Sequence, residues 1–124
     1  GRVLRFPIQG EVALSGSALY ARPVAATSRS HESLASLKIP HTGWNQIEPQ
    51  KDSLLFHNLP DGSFAYFNHS YYCAARPSDT LATTDYGGAY PSIVGRGRVY
   101  GIQFHPEKSQ SVGLTLLRNF VAQG

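Results

Sequence analysis

The sequence predicts an α/β domain that is rich in strands and closed by one helix at its C-terminus. Short extended runs alternate with glycine turns at 87–88 and 95–97, a pattern typical of strands joined by tight connections. Seven Tyr and six Phe also favour strands. Residues 111–122 instead have the apolar periodicity of a helix that packs on a sheet. This stripe consists of Leu114, Leu117 and Val121, flanked by Val112, Leu116 and Phe120.

The N-terminal third combines recognisable strands with a long polar connection. Residues 2–6 alternate in polarity and stop at Pro7, which predicts a strand. Residues 7–36 are predicted to include an irregular insertion, because a connection of this length is unusual inside a compact domain. Within it, residues 11–14 and 19–21 can pair as a hairpin around Gly16. Residues 37–39 resume an extended run before Pro40.

The remaining elements follow one another closely. Residues 52–56 predict a helical turn, with Asp52 or Ser53 able to cap its first amides. A turn at 60–63 then leads into residues 63–74, predicted as one strongly aromatic strand. Three more strands are predicted at 81–86, 89–94 and 98–104.

Composition narrows the class of protein. A chain of 124 residues with 41% hydrophobic and 15% charged residues is predicted to form one globular domain. The net charge of +3 comes from scattered basic residues without interleaved stacking aromatics, so no nucleic-acid partner is expected. No apolar stretch reaches the ~18–20 residues of a membrane span. The single cysteine suits a reducing compartment, so a cytoplasmic location is predicted.

The clearest candidate for chemistry is a histidine followed two residues later by a carboxylate. His105 and Glu107 come directly after the apolar strand at 98–104, and sites in open α/β sheets lie at the carboxyl ends of strands. A catalytic imidazole needs a partner that fixes its tautomer, and Glu107 is placed to do so. Alternation along an extended backbone would point both side chains to the same side. Their contact is therefore expected.

Other positions in the sequence could have a functional or a purely structural role. His69 and Ser70 lie within the aromatic run, where they either face water or line a pocket for a polar substrate. Trp44 is either buried in a local turn or an anchor at an interface. Cys73 lacks the glycine-rich turn that exposes a nucleophile, so a small buried side chain is predicted. The separations between His41, His69 and His105 match no zinc-ligand pattern, so no metal is expected.

Three motifs give the chain a resemblance to a known family. Gly-Ile-Gln-Phe-His-Pro-Glu-Lys-Ser at 101–109 resembles the His/Glu motif of class I (triad) glutamine amidotransferases. His-x-Gly-Trp-Asn at 41–45 and Tyr-Phe-x-His-Ser-Tyr at 66–71 resemble, more narrowly, the glutaminase subunits of imidazole glycerol phosphate synthase, which act in histidine biosynthesis. The resemblance covers residues 1–6 and about 37–122.

This resemblance implies a fold, a reaction and roles for particular residues. The fold is a flavodoxin-like three-layer α/β fold that uses a Cys-His-Glu triad and no cofactor. His105 would be the general base and acid, and Glu107 would orient it. His69, Ser70 and Tyr71 would lie along the L-glutamine site. Trp44, Tyr66 and Lys108 would contact the cyclase subunit, a TIM barrel that receives the ammonia.

The sequence also departs from the family pattern. The nucleophile of the family lies in a Gly-x-Cys-x-Gly turn, which is not found here, and residues 7–36 exceed the corresponding connection. We therefore expect residues 1–124 to be a C-terminal part of a glutamine amidotransferase domain that is inactive by itself. Two alternatives stay open. The chain could serve an amidotransferase of another pathway, or it could be a binding module that keeps the scaffold without catalysis.

Overall fold

A computed structural model describes residues 3–5, 12–14, 17–23 and 40–122 of the chain. The strands in these residues are β1 (Val3–Arg5), β2 (Val12–Leu14), β3 (Ser17–Pro23), β4 (His41–Gln46), β5 (Glu48–Pro49), β6 (Phe64–His69), β7 (Tyr71–Ala74), β8 (Thr80–Asp85), β9 (Ala89–Arg96) and β10 (Val99–Ile102). Short 3-10 helices occupy Leu54–Phe56, Pro77–Asp79 and Pro106–Lys108. One α-helix, α1 (Gln110–Ala122), follows the last of these.

The described strands form three sheets. The largest has the order β1-β10-β9-β8-β5, in which β1 runs parallel to β10 and the other neighbours are antiparallel. A second sheet has the order β2-β3-β7, and β4 pairs with β6 in a two-stranded ribbon. The mixture of a large sheet, a ribbon and a closing helix agrees with the predicted α/β class.

The core lies between the large sheet, the β4–β6 ribbon and α1. Its largest fully buried side chains include Tyr90, Phe67, Phe104 and Leu116, each at most 1% exposed. Leu116 comes from α1, while the three aromatic residues come from β9, β6 and the segment after β10. Burial of these side chains fixes the ribbon and the helix against the sheet, since apolar burial is the dominant stabilising contribution in folding.

Several predicted elements are confirmed. The first strand, the 12–14/17–23 hairpin and the C-terminal helix are all present, and the hairpin pairs Val12 with Leu19. Ser53 caps the helical turn by accepting a hydrogen bond from the amide of Leu55 at 3.2 Å. Residues 37–39 lie outside the described residues, and the insertion assigned to 7–36 stays a prediction. No described helix is long and apolar enough to cross a membrane.

The single aromatic strand predicted over 63–74 is wrong. The chain bends at Ser70 and divides the run into β6, which pairs with β4, and β7, which pairs with β3. The two halves therefore join different sheets, a choice of partners that side-chain composition does not encode. Two smaller differences concern the last hairpin, since β9 continues to Arg96 and β10 already ends at Ile102.

Candidate functional site

The His105–Glu107 pair forms at the carboxyl end of β10. Nδ1 of His105 lies 3.3 Å from Oε2 of Glu107, so the expected contact is present. The argument from extended alternation was nevertheless wrong, because Pro106–Lys108 forms a turn of 3-10 helix. This turn brings the carboxylate back towards the imidazole. Proline suits its first position, where the fixed φ is compatible with a helix and no amide donor is lost.

The pair leaves one atom of the imidazole for chemistry. When the Nδ1–H group of His105 donates to Glu107, the proton-accepting atom of the neutral ring is Nε2. The side chain of His105 is largely buried, whereas that of Glu107 is about half exposed. A histidine held in this tautomer can take a proton from a nucleophile and return it to a leaving group.

The backbone of His105 is attached to the strand β6. Its amide donates to the carbonyl of Tyr66 at 3.0 Å. On the other side, its carbonyl accepts hydrogen bonds from the amide of Lys108 at 3.0 Å and from the hydroxyl of Ser109 at 2.7 Å. The position of the imidazole is thus set by two elements, β6 and the turn that precedes α1.

Cys73 is a buried thiol in β7. It is 1% exposed, and burial raises its pKa to about 11. Because the thiolate is the nucleophilic form, a thiol with this pKa is unreactive near neutral pH. The prediction of a small buried side chain is confirmed.

Three side chains form a cluster beside the pair, which we call the 44/66/108 surface, in which Trp44 and Lys108 are exposed and Tyr66 is partly buried. Trp44 is 49% exposed, and its ring meets the ring of Tyr66 edge-on with 6.0 Å between centroids. Nζ of Lys108 lies 6.0 Å from the centroid of the Tyr66 ring, a cation–π distance. Trp44 and Tyr66 face each other because they are register partners in β4 and β6. An exposed tryptophan packed on a tyrosine and next to a cation is typical of contact surfaces.

The three residues predicted along a substrate site are divided by the bend at Ser70. The side chain of His69 is directed into the core and is 9% exposed. Ser70 is partly exposed at the bend itself, and Tyr71 begins β7. Burial of the His69 side chain contradicts the interpretation in which it faces water, and the interpretation in which this segment lines a substrate pocket stays a prediction.

A model of class I glutamine amidotransferases matches residues 14–123. The chain belongs to this family. Among curated proteins, the HisH subunit of imidazole glycerol phosphate synthase from Symbiobacterium thermophilum is 54% identical over 85 residues, covering 68% of this chain and 40% of the relative. The HisH subunit from Methanosarcina mazei is 51% identical over 89 residues, covering 70% of this chain and 44% of the relative. The amidotransferase chain thus spans less than half the length of these relatives.

A solved structure supports the fold. A crystal structure of a protein from Thermoplasma acidophilum, assigned to GMP synthase, superposes with a TM-score of 0.58 at 20% sequence identity. The match covers 84% of this chain and 47% of that one. At this level of identity the likeness concerns the fold alone, and it agrees with the predicted amidotransferase-like architecture.

Sequence reasoning missed a buried polar cluster in the amidotransferase chain. His41 and His69 are register partners across β4 and β6, and Nδ1 of His41 lies 3.1 Å from Nε2 of His69. The hydroxyl of Tyr90 lies 3.1 Å from the first atom and 2.9 Å from the second. A separation of 28 positions in sequence concealed this contact, which only the strand register creates. In the described residues, no three His, Cys, Asp or Glu side chains are grouped to hold a metal ion.

The protonation of His41 is fixed by Asn45. The Nδ2 group of Asn45 can only donate, and it lies 3.2 Å from Nε2 of His41 and 2.9 Å from the carbonyl of Asp85. Nε2 of His41 is therefore an acceptor, and the proton of the neutral ring is on Nδ1. A second proton on Nε2 of His41 would point at the N–H donor of Asn45, which disfavours the protonated ring. Burial, and next the charge of His69, lower the pKa of His41 to about 4.

The lowered pKa predicts a pH dependence of stability. Above pH 6.5 His41 is neutral in both the folded and the unfolded chain, and its contribution is fully present. Between pH 6.5 and about 4 the unfolded chain binds a proton that the folded chain resists, so the free energy of unfolding falls by at most about 3 kcal/mol. His41→Gln should flatten this slope in urea denaturation measured at several pH values. The titratable side chains that contact the ring of His41 are His69, Tyr90 and Tyr86. The ring of Tyr86 stacks on it with 3.9 Å between centroids.

The matched control is His57→Gln, which removes an exposed histidine. It should leave the slope between pH 6.5 and about 4 as in the unsubstituted chain. An unchanged slope in His41→Gln would show that His41 is not the group that titrates.

Proposed function

We propose that the chain contributes the acid–base half of the glutaminase subunit of imidazole glycerol phosphate synthase. The observation that carries this proposal is the contact between His105 and Glu107 at the end of β10. The HisH relatives, about half identical to this chain over some 70% of its length, support the histidine-pathway assignment. The substrate is L-glutamine, the products are glutamate and ammonia, and a cytoplasmic location stays a prediction.

The reaction needs a cysteine from outside the printed sequence, because the thiol of Cys73 is buried. His105 takes the proton from the thiol of this outside cysteine, and the resulting thiolate attacks the side-chain amide carbon of glutamine. His105 gives the proton to the departing nitrogen, which leaves as ammonia. His105 then takes a proton from water as that water attacks the thioester, and returns the proton to the departing sulfur, which releases glutamate and restores the thiol. Glu107 keeps the imidazole oriented and offsets its charge in the protonated state.

Substrate contacts are proposed at the bend between β6 and β7. Ser70 is partly exposed there, and the adjoining backbone of His69 and Tyr71 changes sheets. Backbone N–H and C=O groups at such a bend are donors and acceptors that can bind the polar ends of a substrate. In this proposal His69 acts through its backbone, since its side chain belongs to the buried cluster with His41 and Tyr90.

The proposed partner is the cyclase subunit, a TIM barrel that consumes the ammonia. The 44/66/108 surface supports this proposal by its composition, a tryptophan, a tyrosine and a lysine. It also adjoins the catalytic pair, since Lys108 directly follows Glu107 in the same 3-10 helix. Ammonia produced at His105 would therefore be released close to the contact with its consumer.

The surface gives a direct test of the partner. In the protein as its gene encodes it, Trp44→Ala should weaken binding to the cyclase subunit by about 30-fold, because a central tryptophan is typically worth about 2 kcal/mol. Isothermal titration or biolayer interferometry measures the effect. Leu54→Ala, which removes a 68% exposed side chain elsewhere, is the control and should leave binding unchanged. Equal affinity of Trp44→Ala and the parent protein would reject this surface.

The assay that tests the reaction is ammonia release from glutamine by the gene-encoded protein mixed with the cyclase. Release supports the glutaminase proposal, and co-purification with a different synthase would assign the chain to another pathway. The buried state of Cys73 favours one further candidate, a binding module that docks through the 44/66/108 surface without catalysis. Tight cyclase binding without any glutamine turnover would support that candidate.

A further inference from the structure

Ser109 connects the segment that contains His105 to β6, the strand that contributes Tyr66 to the 44/66/108 surface. Its side chain is buried, with 1% of the residue exposed, at the junction between the 3-10 helix Pro106–Lys108 and α1. The hydroxyl donates to the carbonyl of His105 at 2.7 Å. The same oxygen accepts the amide of Tyr66 at 3.0 Å. The hydroxyl of Ser109 thus donates its single proton to the segment of His105 and accepts a hydrogen bond from β6 through a lone pair.

Tyr66 presents both of its backbone groups to this segment. Its amide is bound by Ser109, and its carbonyl accepts the amide of His105 at 3.0 Å. Because the N–H and C=O of one strand residue point the same way, both face away from β4. Tyr66 and Trp44 therefore form a non-hydrogen-bonded pair, the kind with closer side chains, which agrees with the contact between their rings.

We propose that Ser109 is a positioning residue that holds His105 at a fixed distance from β6 and so sets the orientation of its imidazole. The backbone of His105 has three described contacts, to Tyr66, Lys108 and Ser109. The contact from Ser109 is the one made by a side chain, so it can be removed without altering the backbone. It is also the contact that joins the carbonyl of His105 to the amide of Tyr66 through one atom.

Loss of the Ser109 hydroxyl is expected to lower kcat. Displacement of a catalytic group by about 1 Å can cost about 100-fold in rate, even when substrate binding is unaffected. The described hydrogen bonds of Ser109 go to His105, Tyr66, Pro106 and Gly113, and not to Glu107 or to the proposed substrate contacts, so its loss should lower kcat and leave KM unchanged. This inference rests on the proposed function only for that kinetic readout.

The test compares Ser109→Thr with Ser109→Val in the gene-encoded protein with its cyclase partner. The two side chains have the same shape, and the threonine keeps the hydroxyl that the valine replaces by a methyl group. We expect kcat to be about 10-fold lower in the valine variant than in the threonine variant, with equal KM. Equal kcat values in the two variants would overturn the proposal.

Amide hydrogen exchange tests the same contact independently of activity. In Ser109→Val the amide of Tyr66 loses its acceptor, and its exchange should be about 10-fold faster than in Ser109→Thr. Unchanged exchange at Tyr66 rejects the positioning role even if glutamine is hydrolysed. Faster exchange in a protein without glutaminase activity supports the role and rejects the proposed function instead.

A second buried serine provides the control for a purely structural effect. The hydroxyl of Ser63 donates to the carbonyl of Pro60, and the residue is 8% exposed. Ser63→Ala also removes a buried hydroxyl, at the start of β6 and away from His105. It should lower stability while leaving kcat and the exchange of the Tyr66 amide unchanged. A drop in kcat equal to that of Ser109→Val would assign the effect to general loosening of β6.

Discussion

Replacing His105 by asparagine is expected to lower kcat for glutamine hydrolysis by about 10³-fold or more in the gene-encoded protein. The imidazole is the group that can both take a proton from a thiol and deliver one to departing ammonia. Asparagine keeps a polar side chain of similar reach but cannot exchange protons near neutral pH. Steady-state ammonia release measures the loss, and His57→Gln, an exposed histidine in the same chain, should retain full activity.

Glu107→Gln should have a smaller effect, about 10- to 100-fold in kcat. Its carboxylate is about half exposed and 3.3 Å from Nδ1, so water competes with the contact and screens its charge. The amide oxygen of the substituted side chain at position 107 can still accept a hydrogen bond from Nδ1 of His105 and hold the tautomer. It does not offset the charge of the protonated imidazole. The double variant should be no worse than His105→Asn alone. A loss equal to the product of the two single effects would mean that the residues act separately.

The motif at 101–109 predicted the contact between His105 and Glu107 because residues that lie together in space are also close in sequence there. His105, Glu107 and Lys108 are near neighbours in sequence, so any turn after β10 keeps them together. Trp44 and Tyr66 were predicted through the resemblance, and the register of β4 with β6 then placed them in contact. The prediction of an extended chain through Glu107 was wrong because Pro106 favours a helical start, which the alternation argument ignored.

Features that depend on tertiary pairing could not be predicted in the same way. The cluster of His41, His69 and Tyr90 joins β4, β6 and β9. Each of these residues, taken alone, fits an ordinary strand position. The bend at Ser70 has the same origin, since β6 and β7 take partners from different sheets. The bridging role of Ser109 likewise depends on where Tyr66 lies in space. Periodicity describes one element at a time, and these features arise between elements.

Gly113→Ala should destabilise the chain by about 3 kcal/mol or more, the largest stability effect we expect. Gly113 is buried in the first turn of α1, where the helix approaches the backbone of Pro106 closely. A Cβ at this position would overlap the carbonyl oxygen of Pro106. It would also lie 2.6 Å from the carbonyl carbon and 2.8 Å from Cα of that residue. All three are backbone atoms, so no side-chain rotation relieves the contact. Urea denaturation monitored by circular dichroism measures the loss.

The sign of this effect distinguishes it from helix propensity. At an exposed helical position, exchange of glycine for alanine stabilises by about 1 kcal/mol. Ser111→Ala, at an exposed position of the same helix, is the control and should be neutral or slightly stabilising. A gain in stability for Gly113→Ala would mean that α1 stands farther from Pro106 than the structure places it.

The same substitution connects stability to the site. Pro106 lies between His105 and Glu107, so relief of the overlap requires either α1 or the 3-10 helix to move. If the 3-10 helix moves, the 3.3 Å contact between Nδ1 and Oε2 is altered, and kcat should fall in the fraction of protein that stays folded. If α1 moves, stability alone is lost and kcat per folded molecule is retained. Activity measured per folded molecule, at a urea concentration below the transition, therefore shows which of the two elements yields. Because the carbonyl of Tyr66 in β6 holds the amide of His105 independently of α1, we expect the helix to move and kcat to be retained.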